Sequence, residues 1–331
     1  MAPLQLLVVG ATGKQGSAFV RAATAPVSGA DPAFRVVALT RSPDSPAAAA
    51  LRALGDCVTV VGADLNDEKS VRAVFEGAKT DGGVWGVFVA LAFPGLGKDA
   101  AGEEAQGKLV VDLACEYGVR HLVYSSAERG HESRDEGATL SYLAKVNIER
   151  HIKAKAELGW TILRPVFFME NFKGTIGRIT FAVLRAGLKK DTKVQLIASD
   201  DIGNVACAVM RSPEQYAGQA ITVIGDHLTT RDMEASYMRG AKSAIPSIPN
   251  ILARSLTAMN PGARSVVQML ESVNADLVER GVKTEERVAR CKEIYPGMHD
   301  FAAWAASQDA SAEQAAGWNG VSLWGLLSGK Q

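Results

Sequence analysis

The chain lacks several features that would narrow its chemistry at once. It has no charge of one sign to spare: Lys plus Arg equal Asp plus Glu at 36 each. No global field therefore draws it to nucleic acid or to an anionic membrane, and neither is expected as a partner. Cysteine is scarce: Cys57, Cys115, Cys207 and Cys291 form no CxxC pair. That argues against a disulfide framework and for reduced, buried thiols in an intracellular protein. The five histidines are widely spaced, without HxxxH or HExxH, so no metal site is expected. The longest apolar run, VWGVFVALAF, is too short to span a bilayer. The start, MAPLQLLVVG, has no basic region of the kind a signal peptide carries. A cytoplasmic protein with nuclear access left open is the resulting expectation.

What is present is a large apolar fraction, 47% of 331 residues, enough for one big domain and a smaller lobe. The segment LQLLVVGATGKQGSAFVR, Leu4 to Arg21, is its most informative part. An apolar run leads into Gly10, Gly13 and Gly16 and then into a helical pattern. This order of strand, glycine turn and helix suits a dinucleotide pyrophosphate: a tight turn, close backbone approach to phosphate, and close helix–strand packing. The helix start adds unpaired N–H groups and a positive dipole end.

The second apolar run, Phe34 to Thr40, ends where an NAD-binding protein commonly carries a carboxylate for the ribose 2′-hydroxyl. Thr40, Arg41 and Ser42 stand there instead. An Arg can hold a 2′-phosphate through charge-assisted hydrogen bonds, so NADP(H) is the expected cofactor. Lys14, inside the glycine turn, is a further cation nearby.

Further strands are expected at Val58–Val61, Val84–Leu91, Arg120–Ser126 and Trp160–Arg164, alternating with helical stretches. Short extra strands are expected at Val194–Ala198 and Ile221–Ile224, and mostly helix from Ala241 to Val288. The predicted fold class is α/β: a Rossmann-type doubly wound parallel sheet with a smaller, mainly helical C-terminal substrate lobe. Residues 1–165 would form the NADP(H)-binding domain, and residues 166–331 a lobe partly interwoven with it.

VVGATGKQG, ALTRS, AQGKLVVDLACEYGVRHLVYSS, YLAKVNIERHI and ILRPVFFMENF together resemble the NmrA-like family of atypical short-chain dehydrogenases/reductases, with fungal members. The resemblance extends to NPGARSVVQM and to Phe301–Trp304. It implies Gly10, Thr12, Gly13, Gln15 and Gly16 on the pyrophosphate, Arg41 on the 2′-phosphate, and Asp64 and Leu65 on the adenine. It also implies Ala90 and Leu91 along the dinucleotide, Lys145 on the nicotinamide ribose, and Pro165 to Phe168 at the nicotinamide. The family includes reductases of fungal secondary metabolism and regulators that bind cofactor without known turnover. It thus implies an oxidoreductase or, alternatively, an NADP(H)-sensing co-regulator with a protein partner.

Ordinary short-chain dehydrogenases place a Tyr one helical turn before a Lys, as YxxxK, which lets the ammonium lower the phenol's pKa. Here Ser141 holds that position, and Tyr142 stands three residues before Lys145. Tyr142 is a candidate proton donor if the shared face suffices. Ser125 and Ser126, ending the fifth strand, are candidates to hydrogen-bond a substrate oxygen. Glu149 is placed to pair with Lys145 or with solvent. Phe93, Phe167, Phe168, Met169 and Phe172 could form an apolar wall for a bulky hydrophobic substrate, with Asn171 as its polar anchor.

Overall fold

The computed structural model describes residues 3–26, 34–93 and 100–308. Residues 94–99, which hold most of the FPGLG loop, lie outside the described residues. The first half of the chain alternates strictly. It runs β1 (Leu4–Val9), α1 (Lys14–Thr24), β2 (Phe34–Thr40), α2 (Pro46–Arg52), β3 (Val58–Gly62), α3 (Glu68–Ala78), β4 (Gly86–Val89) and α4 (Ala101–Glu116). It continues through β5 (His121–Ser125), α5 (Leu140–Lys153), β6 (Gly159–Pro165) and the two-residue β7 (Phe167–Phe168). The second half holds α6 (Gly174–Gly187), β8 (Val194–Ile197), α7 (Ser199–Arg211), α8 (Pro213–Tyr216), β9 (Gln219–Val223) and β10 (Asp226–Leu228). Five helices follow: α9 (Thr230–Ala241), α10 (Asn250–Met259), α11 (Pro261–Glu279), α12 (Thr284–Ile294) and α13 (Phe301–Ala306).

Seven strands pair in the order β3-β2-β1-β4-β5-β6-β9, all parallel. This is the Rossmann arrangement, and the order reverses between β1 and β4. The strands are mainly apolar because both faces are covered. Leu6, Val8, Val36, Ala38, Phe88, Val123 and Leu163 point to one side, where α1 and α7 contribute Phe19, Ile202 and Val209. Leu7, Val9, Val37, Leu39, Leu122 and Ile162 point to the other, against Val71 and Phe75 of α3, Val110 and Leu113 of α4, and Ile148 of α5. Each such Leu or Ile side chain gains roughly 1.5–3 kcal/mol by leaving water. Phe19 stacks flat on Phe88, centroids 4.5 Å apart.

The expected extra strand at Ile221–Ile224 takes a different place. It is β9, the seventh strand of the central sheet, running parallel to β6 from Thr161↔Gln219 to Pro165↔Val223. The reason is α7, which packs on the same sheet face as α1. Gly203 of α7 sits so close that a Cβ there would meet the Phe19 nitrogen at 2.4 Å. The crossover through α7 then delivers the chain back to the sheet edge. The central sheet therefore draws chain from both sides of residue 165. The remaining strands, β10-β8-β7, make a small separate sheet, in which Phe167 pairs with Leu196. Behind it Met169, Phe172, Phe181, Leu184, Met233, Phe301 and Trp304 form the core of the lobe. Helix starts follow local chemistry: Ser45 and Asn260 cap α2 and α11, each with proline in the first turn, and Thr229 and Asp232 make a capping box on α9. No helix among the described residues is long and apolar enough to cross a membrane.

A Cβ on Gly16 would lie 2.2 Å from the Gly10 carbonyl oxygen, whereas one on Gly77, inside α3, meets nothing within 4 Å. Gly16→Val is expected to cost about 3 kcal/mol or more. Gly77→Ala should gain about 0.5–1 kcal/mol. Urea unfolding of the two variants checks the contrast; equal effects would contradict the packing described.

Candidate functional site

The parallel strands bring the glycine turn, Thr40 to Ser42, Asp64 and Leu65, Ala90 and Leu91, and Pro165 to one edge of the sheet, the carboxyl end; Lys145 lies on α5 and Phe168 in the small second sheet. At the β1–β4 reversal Gly10 has φ +76, a conformation that favours glycine. A Cβ there would fall 2.1 Å from the Ala90 carbonyl oxygen just past β4. The turn then folds onto Gly10's own carbonyl. The Gly13 amide donates to it at 3.0 Å, and Gly16 packs against it. Gly13 is extended and caps α1, whose first turn holds no acidic residue. The result is a shallow cradle at a helix N-terminus, with backbone instead of side chains on its floor. Lys14 opens the helix; its side chain is accessible overall. Local desolvation nonetheless lowers its pKa, offset by Glu170 and reinforced by Lys173.

At the end of β2 the buried Thr40 hydroxyl accepts from the Ser42 amide at 3.2 Å and lies 3.4 Å from the Thr12 hydroxyl, tying the two turns together. Arg41 and Ser42 are exposed, and the Arg41 guanidinium has no partner among the described residues. After β3, the Asp64 carboxylate accepts from the Asn66 backbone and side-chain amides, both at 3.0 Å, which fixes that turn. Leu65 and Leu91 are half-buried and pack on the core below.

The two serines after β5 part ways. Ser125 donates to the Gln15 side-chain oxygen at 2.5 Å, linking β5 to the glycine turn. Ser126 turns inward and donates to Glu149, also at 2.5 Å. Glu149 is 2% exposed and pairs with neither Lys145 nor solvent, contrary to the expectation from spacing. It is clamped instead by Arg129 and Arg164, with Nη–O distances of 2.5–3.0 Å. Asp135 extends this buried network, and the exposed Glu132 carries it to the surface. Burial alone would raise the Glu149 pKa, but the two guanidiniums overcome it and hold the carboxyl at about 2.

Lys145 pairs with Glu103 of α4, whose other oxygen accepts from the Ser141 hydroxyl at 2.7 Å. Tyr142 does not join them. Its hydroxyl points to the Met269 sulfur of α11, 3.8 Å away, and burial raises its pKa. The ammonium–phenol pairing of ordinary short-chain dehydrogenases is absent among the described residues, because one residue less between Tyr and Lys turns the phenol by about 100° around the helix.

The segment after β6 splits similarly. Pro165 is buried, and its carbonyl accepts from the Glu128 amide at 2.9 Å. Phe167, Phe168 and Asn171 are half-buried, and Phe93 is 42% exposed beside residues 94–99. Met169 and Phe172 are interior: Phe172 is 3% exposed and packs on Phe167, Phe181 and Phe301. Phe172 thus backs the wall instead of facing a ligand, since its ring fills the lobe core. Glu103, Arg129 and Arg164 escaped the reading of the sequence. Only Arg164 left a trace, as a charge inside an otherwise buried strand. Among the described residues no three His, Cys, Asp or Glu side chains are grouped to hold a metal ion.

The pattern of the NmrA-like family matches residues 4–305. The chain belongs to that family. Among its relatives, the NmrA-like family domain-containing oxidoreductase FrzB of Cladobotryum sp. is 31% identical over 238 residues, 65% of this chain and 67% of that one. Crystal structures of the negative transcriptional regulator Nmra are similar in fold at 18% identity. The NADP complex has a TM-score of 0.68 over 96% of this chain and 99% of that one. The NAD complex has 0.69 over 95% and 98%. Citrobacter sp. triphenylmethane reductase complexed with NADP(H) matches at TM-score 0.63 and 16% identity, over 92% of this chain and all of that one. These likenesses extend the Rossmann architecture to the helical lobe as well.

The Glu149 cluster gives a pH dependence of known sign. The carboxyl's folded pKa, about 2, lies below its unfolded value of about 4.3. Its contribution is therefore complete above pH of about 4.5 and is lost as pH falls toward 2. Stability measured by urea unfolding should decline through that window, and Glu149→Gln should flatten the decline. Glu149→Ala is expected to cost about 3 kcal/mol at neutral pH, because two buried guanidiniums lose the carboxylate they share and keep only Asp135 and the exposed Glu132.

Proposed function

We propose that this chain is an NADP(H)-dependent oxidoreductase that acts on a bulky hydrophobic small molecule in fungal secondary metabolism. The reaction class is reduction of C=O, C=N or an activated C=C, or a cofactor-assisted isomerisation or cyclisation. The observation that carries the reading is the cradle over Gly10, Gly13 and Gly16, where a Cβ at Gly10 or Gly16 would collide with backbone, together with Arg41 at the end of β2, exposed and without a partner among the described residues. Those residues fit a dinucleotide bearing a 2′-phosphate. The name of the relative FrzB, an oxidoreductase, supports the enzyme, and the NADP(H) complex of triphenylmethane reductase supports the cofactor class. The Nmra complexes with NAD and with NADP leave the choice of nucleotide to Arg41.

When bound, NADPH supplies a hydride from the nicotinamide C4. The protein's part is orientation. Gly10, Thr12, Gly13, Gln15 and the first turn of α1 hold the pyrophosphate, with Lys14 beside it. Arg41 and Ser42 take the 2′-phosphate, and Asp64 and Leu65 flank the adenine. Ala90, Leu91 and Pro165 to Phe168 line the dinucleotide, and Lys145 holds the nicotinamide ribose. Ser125, at the end of β5, would hydrogen-bond a substrate oxygen by turning its one hydroxyl proton away from Gln15, its acceptor in the free protein. Phe93, Phe167 and Asn171 would face the substrate, while Ser126 and Phe172 support the frame from within.

One observation favours a second reading, a non-catalytic NADP(H)-sensing co-regulator working through a protein partner. Tyr142, the remaining tyrosine near Lys145 on α5, is turned toward Met269. Incubation with 4-deuterated NADPH of each stereochemical form and a fungal metabolite extract separates the two by mass spectrometry. Label in a product establishes hydride transfer, and an isomeric product without label points to assisted rearrangement. Neither signal, with tight NADPH binding retained, favours the regulator.

Two substitutions test the cofactor assignment directly. Lys145→Ala should weaken NADPH binding about tenfold, as expected for one charge-assisted hydrogen-bonding group, while the thermal transition stays cooperative. Arg41→Asp should cost NADPH on the order of a hundredfold and leave NADH within a few-fold, reversing the preference. An unchanged NADPH/NADH ratio, read by intrinsic fluorescence titration, would remove Arg41 from the 2′-phosphate.

A further inference from the structure

Where an ordinary member of the wider superfamily would have a tyrosine one turn before its lysine, this chain has Ser141, and the space is claimed by a carboxylate from another helix. Glu103 lies in the first turn of α4, where the helix dipole favours negative charge. Its two oxygens divide their work: one accepts from Lys145, the other from Ser141. Ser141 and Lys145 are four residues apart, so both lie on the face of α5 that meets α4. The carboxylate is withdrawn from water and the ammonium mostly so, with side-chain exposures of 2% for Glu103 and 14% for Lys145. An ammonium so enclosed does not wander among rotamers as a surface lysine does. One of its three N–H groups is committed to Glu103, which leaves two for other acceptors.

Two neighbouring features fit an imposed geometry. Leu140, just before Ser141, has φ +51, one of two non-glycine residues with positive φ among the described residues. Such backbone is held only where its surroundings demand it. Tyr124 of β5, fully buried, has a hydroxyl without a hydrogen-bond partner among the described residues, and its pKa is raised by burial and then by Glu103 and Glu149. Neither Tyr124 nor Tyr142 can therefore hold Lys145 as a phenolate would.

We propose that Glu103 is the positioning residue of the site, fixing the direction of the Lys145 ammonium toward the nicotinamide ribose through a carboxylate bridge shared with Ser141. This rests on the reading of Lys145 as a ribose-binding group. The bridge takes over the aligning half of the usual Tyr–Lys pair and leaves no phenol at the site. It also explains the serine: a hydroxyl at position 141 satisfies the second carboxylate oxygen, where an aliphatic side chain would leave it buried and unpaired.

The test compares two ligands by calorimetric titration: NADPH, and adenosine 2′,5′-bisphosphate, which lacks the nicotinamide ribose. Glu103→Gln keeps the shape and removes the charge. It is expected to weaken NADPH three- to tenfold and leave adenosine 2′,5′-bisphosphate unchanged. Ser141→Ala should act in the same ligand-selective direction with smaller size. In a Lys145→Ala background, Glu103→Gln should have no further effect, because its role passes through the ammonium. Unchanged or tighter NADPH binding in Glu103→Gln would overturn the proposal, as would equal loss for both ligands or an effect that persists without Lys145. A wild-type protein that binds neither ligand would overturn the cofactor reading itself, and the proposal with it. Binding of both ligands with Lys145→Ala silent would remove Lys145 from the ribose and so overturn the proposal while the cofactor reading stands.

Discussion

At the carboxyl ends of β1 and β4 two backbones approach more closely than any side chain would allow. The Gly10 Cα faces the Ala90 carbonyl, and the same glycine's carbonyl is the surface on which Gly13 and Gly16 settle. From this point the chain leaves in opposite directions. α1 goes to the sheet face shared with α7, and α4 to the face shared with α3 and α5. In doubly wound sheets it is at such a reversal of strand order that a ligand crevice forms, outside the carboxyl ends of the strands. The remaining site residues gather around it because all seven strands are parallel and end on the same edge.

Charge is organised around α5 in two buried sets. Toward the end of the helix, Glu149 binds Arg129 and Arg164 and, through them, the loop after β5 to β6. Near its start, Glu103 meets Ser141 and Lys145. Removing such charges from water is costly, and hydrophobic replacements would often serve stability as well. What the ionic groups add is direction. The first set fixes the loop that begins at Ser126, and the second ties Lys145 and Ser141 of α5 to α4. A helix spanning 14 residues thereby links β6 of the sheet to the first turn of α4.

Much of this organisation was legible in the sequence because it is local. Leu4–Val9 with its three glycines, the apolar runs of β2 to β6, and prolines at the starts of α2 and α11 each encode their own conformation through sterics and side-chain volume. Arg41 at the end of β2 was legible for the same reason: strand ends have fixed positions once the sheet order is known. The place of Ile221–Ile224 was not, because a short apolar strand looks alike in either sheet. Its partner was chosen by the packing of Gly203 against α1. Phe172 and Phe167 are likewise indistinguishable in FFMENF, and only the lobe core separates the interior ring from the half-buried one.

The sequence by itself thus determined the fold class, the family and the glycine turn at the end of β1, since strand, glycine turn and helix are consecutive and their geometry follows from nearest neighbours. The tertiary structure alone decided which side chains share the site. It brought Glu103 to Lys145 across 42 residues of chain, Ser125 to Gln15 across 110, and Tyr142 to Met269 across 127. Contacts of that span have no local signature. They exist because burial of the sheet's two faces forces α4, α5 and the C-terminal helices against one another, and polar groups enclosed there must take the partners that packing supplies.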